Sequence, residues 1–144
     1  MAEKESSILD KLGVDIGLKT THAKTITEAD IDLFAEVSGD FNPVHVNEEY
    51  ARKTFFEGRI AHGAFPWTLL SAAVAKLLGL VIFLSQSVKF LRPVRIGDTI
   101  TAEAEVTETR RDKGIVTLKN ICVNQNGETI VAVGAAMRCF EGLS

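Results

Sequence analysis

The chain has 144 residues, 46% of them apolar, and a formal net charge of −3. That length suits one domain, and a chain of this size buries about 68–70% of its unfolded surface, enough for a core without covalent staples. The apolar content excludes a disordered chain, and the lack of any basic stripe argues against a nucleic-acid binder.

The N-terminal "MAEKESSILDKL" has no long apolar run, so no secretory peptide is read there. Residues 1–12 read as frayed or as a short helix, and 1–15 as a flexible segment of one domain spanning 1–144. "LKTTHAKTI", residues 18–26, is rich in Thr and predicts a short strand. Thr27 then opens a helix, with Asp30 three positions later as an acidic capping box. Ile31, Phe34, Ala35 and Ser38 share one face of that helix. Gly39 stands where a C-terminal glycine ends it.

Next comes "SGDFNPVHVN", residues 38–47. Gly39 permits a sharp exit, Pro43 fixes its own φ, and Asn42 before it is pushed to an extended backbone. The segment reads as a stiff loop presenting Asp40, Asn42 and His45. Asp and Asn are also ordinary turn residues, so a decorated turn is the plain alternative. Asn47 caps a second short helix, "EEYARKT", and Gly58 marks a turn.

"GRIAHGAF", residues 58–65, sets His62 and Gly63 at the start of the one long, nearly all-apolar helix, 64–78. Pro66 fits its first turn. Being apolar all round, this helix is expected to be buried on every side. Its free N-terminal N–H groups and positive dipole end make an oxyanion-hole arrangement, with Gly63 allowing a carbonyl to approach. A tight turn and a half-buried histidine are the plain alternatives for Gly63 and His62. The longest apolar stretch, 64–84, is broken by Pro66, Lys76 and Gly79. It falls short of the roughly 20 apolar residues that a membrane span needs, so a soluble cytoplasmic protein is expected.

Four strand-like runs follow: 82–91, 98–110, 114–125 and 128–140. They are joined by "RPVRIG", "RDKG" and the hairpin signal Asn126-Gly127. Joins this short predict that consecutive strands are antiparallel neighbours. The fold class is therefore α+β, an antiparallel sheet wrapped around a central helix. Its exposed edges predict self-association into at least a dimer. Cys122 and Cys139 have no metal-like spacing and read as reduced thiols. Asp40, His45 and His62 match no standard zinc pattern, so no metal is expected.

The segments "SGDFNPVHVNEEYARKTFFEGRIAHG" and "FLRPVRIGDTITAEAEV" together resemble the MaoC-like (R)-specific enoyl-CoA hydratases of the hot-dog fold. The likeness covers roughly residues 20–140 and rests on D-x-N-P-x-H, A-H-G and R-P-V-x-x-G-D in that order. It implies a curved sheet around the long helix, with Asp40 and His45 as catalytic pair. In that reading Asp40 is the base, while His45 orients water and helps deliver a proton to C2. The backbone N–H of Gly63 polarises a thioester carbonyl.

The resemblance also gives Asn42 the part of the loop asparagine and places Ser71 in the substrate site on the central helix. The reaction implied is reversible hydration of a trans-2-enoyl-CoA to an (R)-3-hydroxyacyl-CoA in fatty-acid metabolism. The CoA thioester is substrate, and no cofactor is expected. Where relatives carry Met-Leu and small residues after A-H-G, this chain has "AFPWT". Phe65 and Trp67 there read either as acyl-pocket residues or as core. The carrier's phosphates need cations, for which Lys89, Arg92, Arg95, Arg52, Lys53 and Arg59 are candidates. A 3-hydroxyacyl-ACP dehydratase, a non-catalytic acyl-thioester binder and a thioesterase stay open as alternatives. A homodimer, a higher homo-oligomer or a heterodimer would each satisfy the edges.

Overall fold

A computed structural model describes residues 7–142. Its elements in chain order are α1 (Ile8–Leu12), β1 (Lys19–Thr25), α2 (Glu28–Ser38), α3 (Pro43–Val46), α4 (Glu48–Arg52), α5 (Ala64–Leu78), β2 (Val81–Phe90), β3 (Thr99–Arg110), β4 (Ile115–Val123) and β5 (Thr129–Cys139). Among the described residues no helix is long and apolar enough to cross a membrane.

Of the N-terminal segment expected to be flexible, residues 1–6 lie outside the described residues. The remainder is packed, because it has an anchor: Leu9 is fully buried. Ser7 and Asp10 close a capping box on α1, and Arg111 pairs with both Asp10 and Asp15.

The cap expected on α2 is present. Thr27 Oγ1 accepts the Asp30 N–H at 3.1 Å, and an Asp30 carboxylate oxygen accepts the Thr27 N–H at 2.9 Å. Burial opposes the charge on Asp30, but the bonds from Thr27 and the nearby Lys24 outweigh it and hold the carboxyl below its usual value. The sign follows. A depressed acid stabilises the fold above its unfolded pKa, and that contribution disappears as pH falls through the lowered folded value. Thr27→Ala is expected to cost about 1 kcal/mol, read as a lower urea midpoint at constant m. An unshifted midpoint would mean that the cap does not hold this helix.

All five strands form one antiparallel sheet in the order β1-β3-β4-β5-β2. The expectation that consecutive strands are neighbours holds for β3-β4-β5 and fails for β2-β3. Residues 91–98 are a crossover between them. Three strand spacings come to roughly 14 Å, and eight residues reach about 26 Å, so the join is long enough. It is also held in place. Ala61 N–H donates to Val94 O at 2.7 Å, and Gly97 N–H to Ile26 O at 2.8 Å.

Helix α5 lies against the inner face of the sheet. Phe65, Leu69, Leu70, Ala73, Val74 and Leu78 are buried there. Alternate residues of β3 and β5, among them Ala102, Ala104 and Ala135, supply small partners that let the helix sit close. Cys122 Sγ–H donates to Pro66 O at 3.2 Å, and burial pushes this thiol up to about 12. Both cysteines are free and buried. This is the hot-dog arrangement.

The helix is not buried on every side, contrary to the periodicity reading. Thr68, Ser71 and Ala75 are exposed. One sheet covers one face of a helix, and residues one turn apart on the far side stay open. β2 is open too: Ile82, Phe83 and Leu84 are exposed along it.

Candidate active site

Asp40 follows the left-handed Gly39 (φ 80°) that ends α2. Its Oδ1 accepts the Asn42 N–H at 3.1 Å, an Asx turn that orients the carboxylate. Asn42 has the extended backbone its proline requires, with φ −52° and ψ 128°. Its Oδ1 accepts the Val44 N–H at 3.2 Å and so caps α3. The stiff loop of the sequence reading is therefore a capped helical turn, and His45 projects from its last residues. The amide of Asn42 builds this turn.

His45 is fixed by its own ring. Nδ1 lies 2.8 Å from Ile60 O. A carbonyl only accepts, so Nδ1 carries the proton and Nε2 keeps its lone pair. That nitrogen stands 4.0 Å from Asp40 Oδ2. The gap is too long for a direct hydrogen bond and suits a small molecule gripped by both groups. Asp40 is half exposed at its side chain, while His45 is mostly covered.

His62 closes the site from below. Its Nε2–H donates to Asp40 O at 2.8 Å. Its ring stacks on that of His45 with centroids 4.0 Å apart, and Phe34 flanks it at 4.9 Å. His62 Nδ1 is buried without a partner among the described residues. Gly63, next in the chain, is exposed and begins α5 without a side-chain cap. In this first turn Pro66 has no N–H and the Phe65 N–H donates to His62 O at 3.0 Å, which leaves the Gly63 and Ala64 N–H groups without a backbone acceptor among the described residues. Asp40 and His45 are brought together beside His62, whose neighbour in the chain, Gly63, starts α5.

The remaining predicted residues sit differently. Phe65 is buried in the core against Phe34, with ring centroids 5.3 Å apart. It also lines a cavity of about 360 Å³ with Leu33, Phe34 and Val37. Ser71 is on the exposed stripe of α5, two turns from Gly63. Among the described residues, Asp40, His45 and His62 offer ligand atoms within 4.8 Å of one another, so they are the residues that could hold a metal. One nitrogen of each ring is already committed as a donor, His45 Nδ1 to Ile60 O and His62 Nε2 to Asp40 O, which leaves one nitrogen per ring.

Arg59 was not legible as part of this site. It is buried, and its guanidinium bonds His45 O at 2.6 Å, Asp32 Oδ1 at 2.6 Å and Glu28 Oε1 at 3.5 Å. It ties α3 to α2 and is committed inside the protein, so it is not a free cation for a phosphate. Arg92 is paired with Glu128 at 3.0 Å. The only sequence signal for Arg59 was its place two residues before A-H-G.

Comparison with known proteins shows what the chain as a whole is similar to. The family described as MaoC like domain matches residues 13–126. The chain is 46% identical over 127 residues to the (R)-specific enoyl-CoA hydratase of Rhodospirillum rubrum, covering 83% of this chain and 88% of that one. It is 32% identical over 140 residues to a mitochondrial 3-hydroxyacyl-[acyl-carrier-protein] dehydratase of Arabidopsis thaliana, covering 96% and 84%. Among solved structures, the unliganded R-hydratase PhaJ1 of Pseudomonas aeruginosa superposes with a TM-score of 0.84. That structure is 40% identical, with 90% of this chain and 84% of that one covered.

Proposed function

The chain belongs to the family of MaoC-like domains, and on that premise we propose that it is an (R)-specific enoyl-CoA hydratase. It adds water reversibly across a trans-2-enoyl-CoA to give an (R)-3-hydroxyacyl-CoA. The observation that carries this reading is the 4.0 Å gap between Asp40 Oδ2 and His45 Nε2 beside the uncapped start of α5.

Water is a weak nucleophile, and its proton must leave as the C–O bond forms. Both groups facing the gap are acceptors, so a water there directs one hydrogen to each and an oxygen lone pair to the substrate. Asp40 takes the proton as general base while the oxygen bonds to C3. The pair returns that proton to C2, so the atoms of one water are added on one face. Negative charge gathers on the thioester oxygen in between. The Gly63 N–H and the positive end of α5 stabilise it, and removing one such donor typically costs about 2.7–4 kcal/mol of barrier.

The assay is loss of enoyl absorbance with crotonyl-CoA, followed by chiral analysis of the product. Turnover to the R product supports the reading, and no hydration of any enoyl-CoA overturns it. The resemblance to the plant dehydratase favours one second reading, the same chemistry on an acyl carrier protein. Parallel kinetics on the two thioesters decide between them.

The enzyme works as a homodimer in this reading. Ile82, Phe83 and Leu84 on β2, with Leu80 and Leu91 at its ends, are exposed apolar residues along an unpaired edge. A second copy that pairs there also covers the open stripe of α5. Sedimentation is expected to give twice the 15.7 kDa of the chain, and a monomer at micromolar concentration removes this part.

A further inference from the structure

We propose that Trp67 is the stop that limits acyl-chain length, restricting this enzyme to short enoyl thioesters. The inference rests on the hydratase reading and adds a substrate class to it.

Residues 63, 67 and 71 recur at the spacing of one helical stripe. Gly63, whose N–H faces the carbonyl in the proposed chemistry, therefore has Trp67 one turn further along the same side of α5. Trp67 is held there from the strand opposite. Its Nε1–H donates to Gln86 Oε1 at 2.8 Å, and its ring meets Phe90 edge-on at 6.5 Å between centroids. Phe90 also reaches back to the site. A β-carbon placed on Gly63 would lie 3.4 Å from Phe90 Cδ1. Phe90 thus packs beside Gly63 and meets the pinned indole, which stands one turn further along α5.

An acyl chain that places its carbonyl at Gly63 and lies along this stripe meets the indole after one helical turn, about 5.4 Å, the length of roughly four carbons. Ser71 lies beyond the indole on the same stripe and is exposed. A smaller residue at position 67 would open the way to it. The indole packs against the core yet stays only partly buried, so part of its face is open on this side of α5. Its hydrogen bond to a strand residue gives it the fixed position that a stop needs and a loose surface aromatic lacks.

The test compares kcat/KM for crotonyl-CoA and trans-2-octenoyl-CoA in the wild type, Trp67→Ala and Gln86→Leu. The wild type is expected to favour crotonyl-CoA. Trp67→Ala should raise the octenoyl-to-crotonyl ratio by about tenfold or more, as for relief of a steric limit in an apolar pocket. Gln86→Leu, which only unpins the ring, should raise it less. An unchanged ratio in Trp67→Ala, or a wild type that already takes octenoyl-CoA equally well, overturns the proposal.

A binding readout separates this failure from failure of the hydratase reading. Trp67 is the only tryptophan, so its emission reports directly on what lies against it. Butyryl-CoA should shift that emission at concentrations where octanoyl-CoA does not. With no turnover of any substrate but that selectivity present, the stop stands and the chemistry falls. Equal responses to the two ligands remove the stop, whatever the turnover.

Discussion

Asp40→Asn and His45→Gln are each expected to lose crotonyl-CoA hydration by about 10²–10⁴-fold, the usual contribution of a positioned proton-transfer group. Both variants should stay folded. Asn at 40 keeps an oxygen for the Asn42 N–H that Asp40 Oδ1 now accepts, so the turn survives while the base is lost. Gln at 45 keeps a donor toward Ile60 O but gives up the ring that stacks on His62. The loss should fall on kcat more than on KM, because these groups act on the attacking water rather than on the carrier. Near-normal turnover in either folded variant ends the assignment of the pair.

Arg59→Met is expected to lower stability by about 2 kcal/mol, within the range for losing a hydrogen bond to a charged group. A larger figure, about 3–5 kcal/mol, applies to breaking a fully buried ion pair. It does not apply here, because the side chains of Asp32 and Glu28 are 58% and 67% exposed and can return to water. The variant should also lower kcat, since Arg59 is what holds the carbonyl of His45. Arg59→Lys should not restore it, because an ammonium cannot span a carbonyl and two carboxylates as the guanidinium fork does. Denaturant melts and steady-state kinetics give the two readings. Lower stability with unchanged kcat would leave Arg59 a brace for the fold with no part in positioning the imidazole.

The parts of this molecule that were legible in the sequence are those fixed by neighbours in the chain. Thr27 with Asp30, Gly39 and Asn47 each sit where local backbone chemistry puts them; Asn126-Gly127 does join β4 to β5, but within the longer loop 124–128, where the Gly127 N–H donates to Asn124 O, rather than as a two-residue turn. The acid and the imidazole were found for the same reason, because they stand five positions apart and a proline stiffens the interval. What failed depends on distant partners. "RPVRIG" has the residues of a hairpin turn, and only its bonds to Ala61 and Ile26 make it a crossover. The open side of α5 was invisible because Thr68, Ser71 and Ala75 count as small or apolar wherever they lie. Arg59 looks like any surface cation until three acceptors from two other helices are seen around it. The role of His62 was likewise hidden, since stacking between two imidazoles is set by where separate segments meet.

The strand order carries a consequence for how this chain reaches its native state. β1 pairs with β3, so Lys19 waits for Glu105 before it has a neighbour. β2 likewise remains alone until β5, the last element, is made. The meander β3-β4-β5 can zip up by itself, but it is synthesised last. During translation the oily helix therefore leaves the ribosome with β1 and α2 already made but well before β3, β4 and β5, which complete its cover. Long loop closures of this kind slow folding and leave sticky intermediates. Truncated or stalled products of this gene are thus expected to clump rather than to stay dissolved, and a chaperone that shields residues 64–91 should raise the yield of active enzyme.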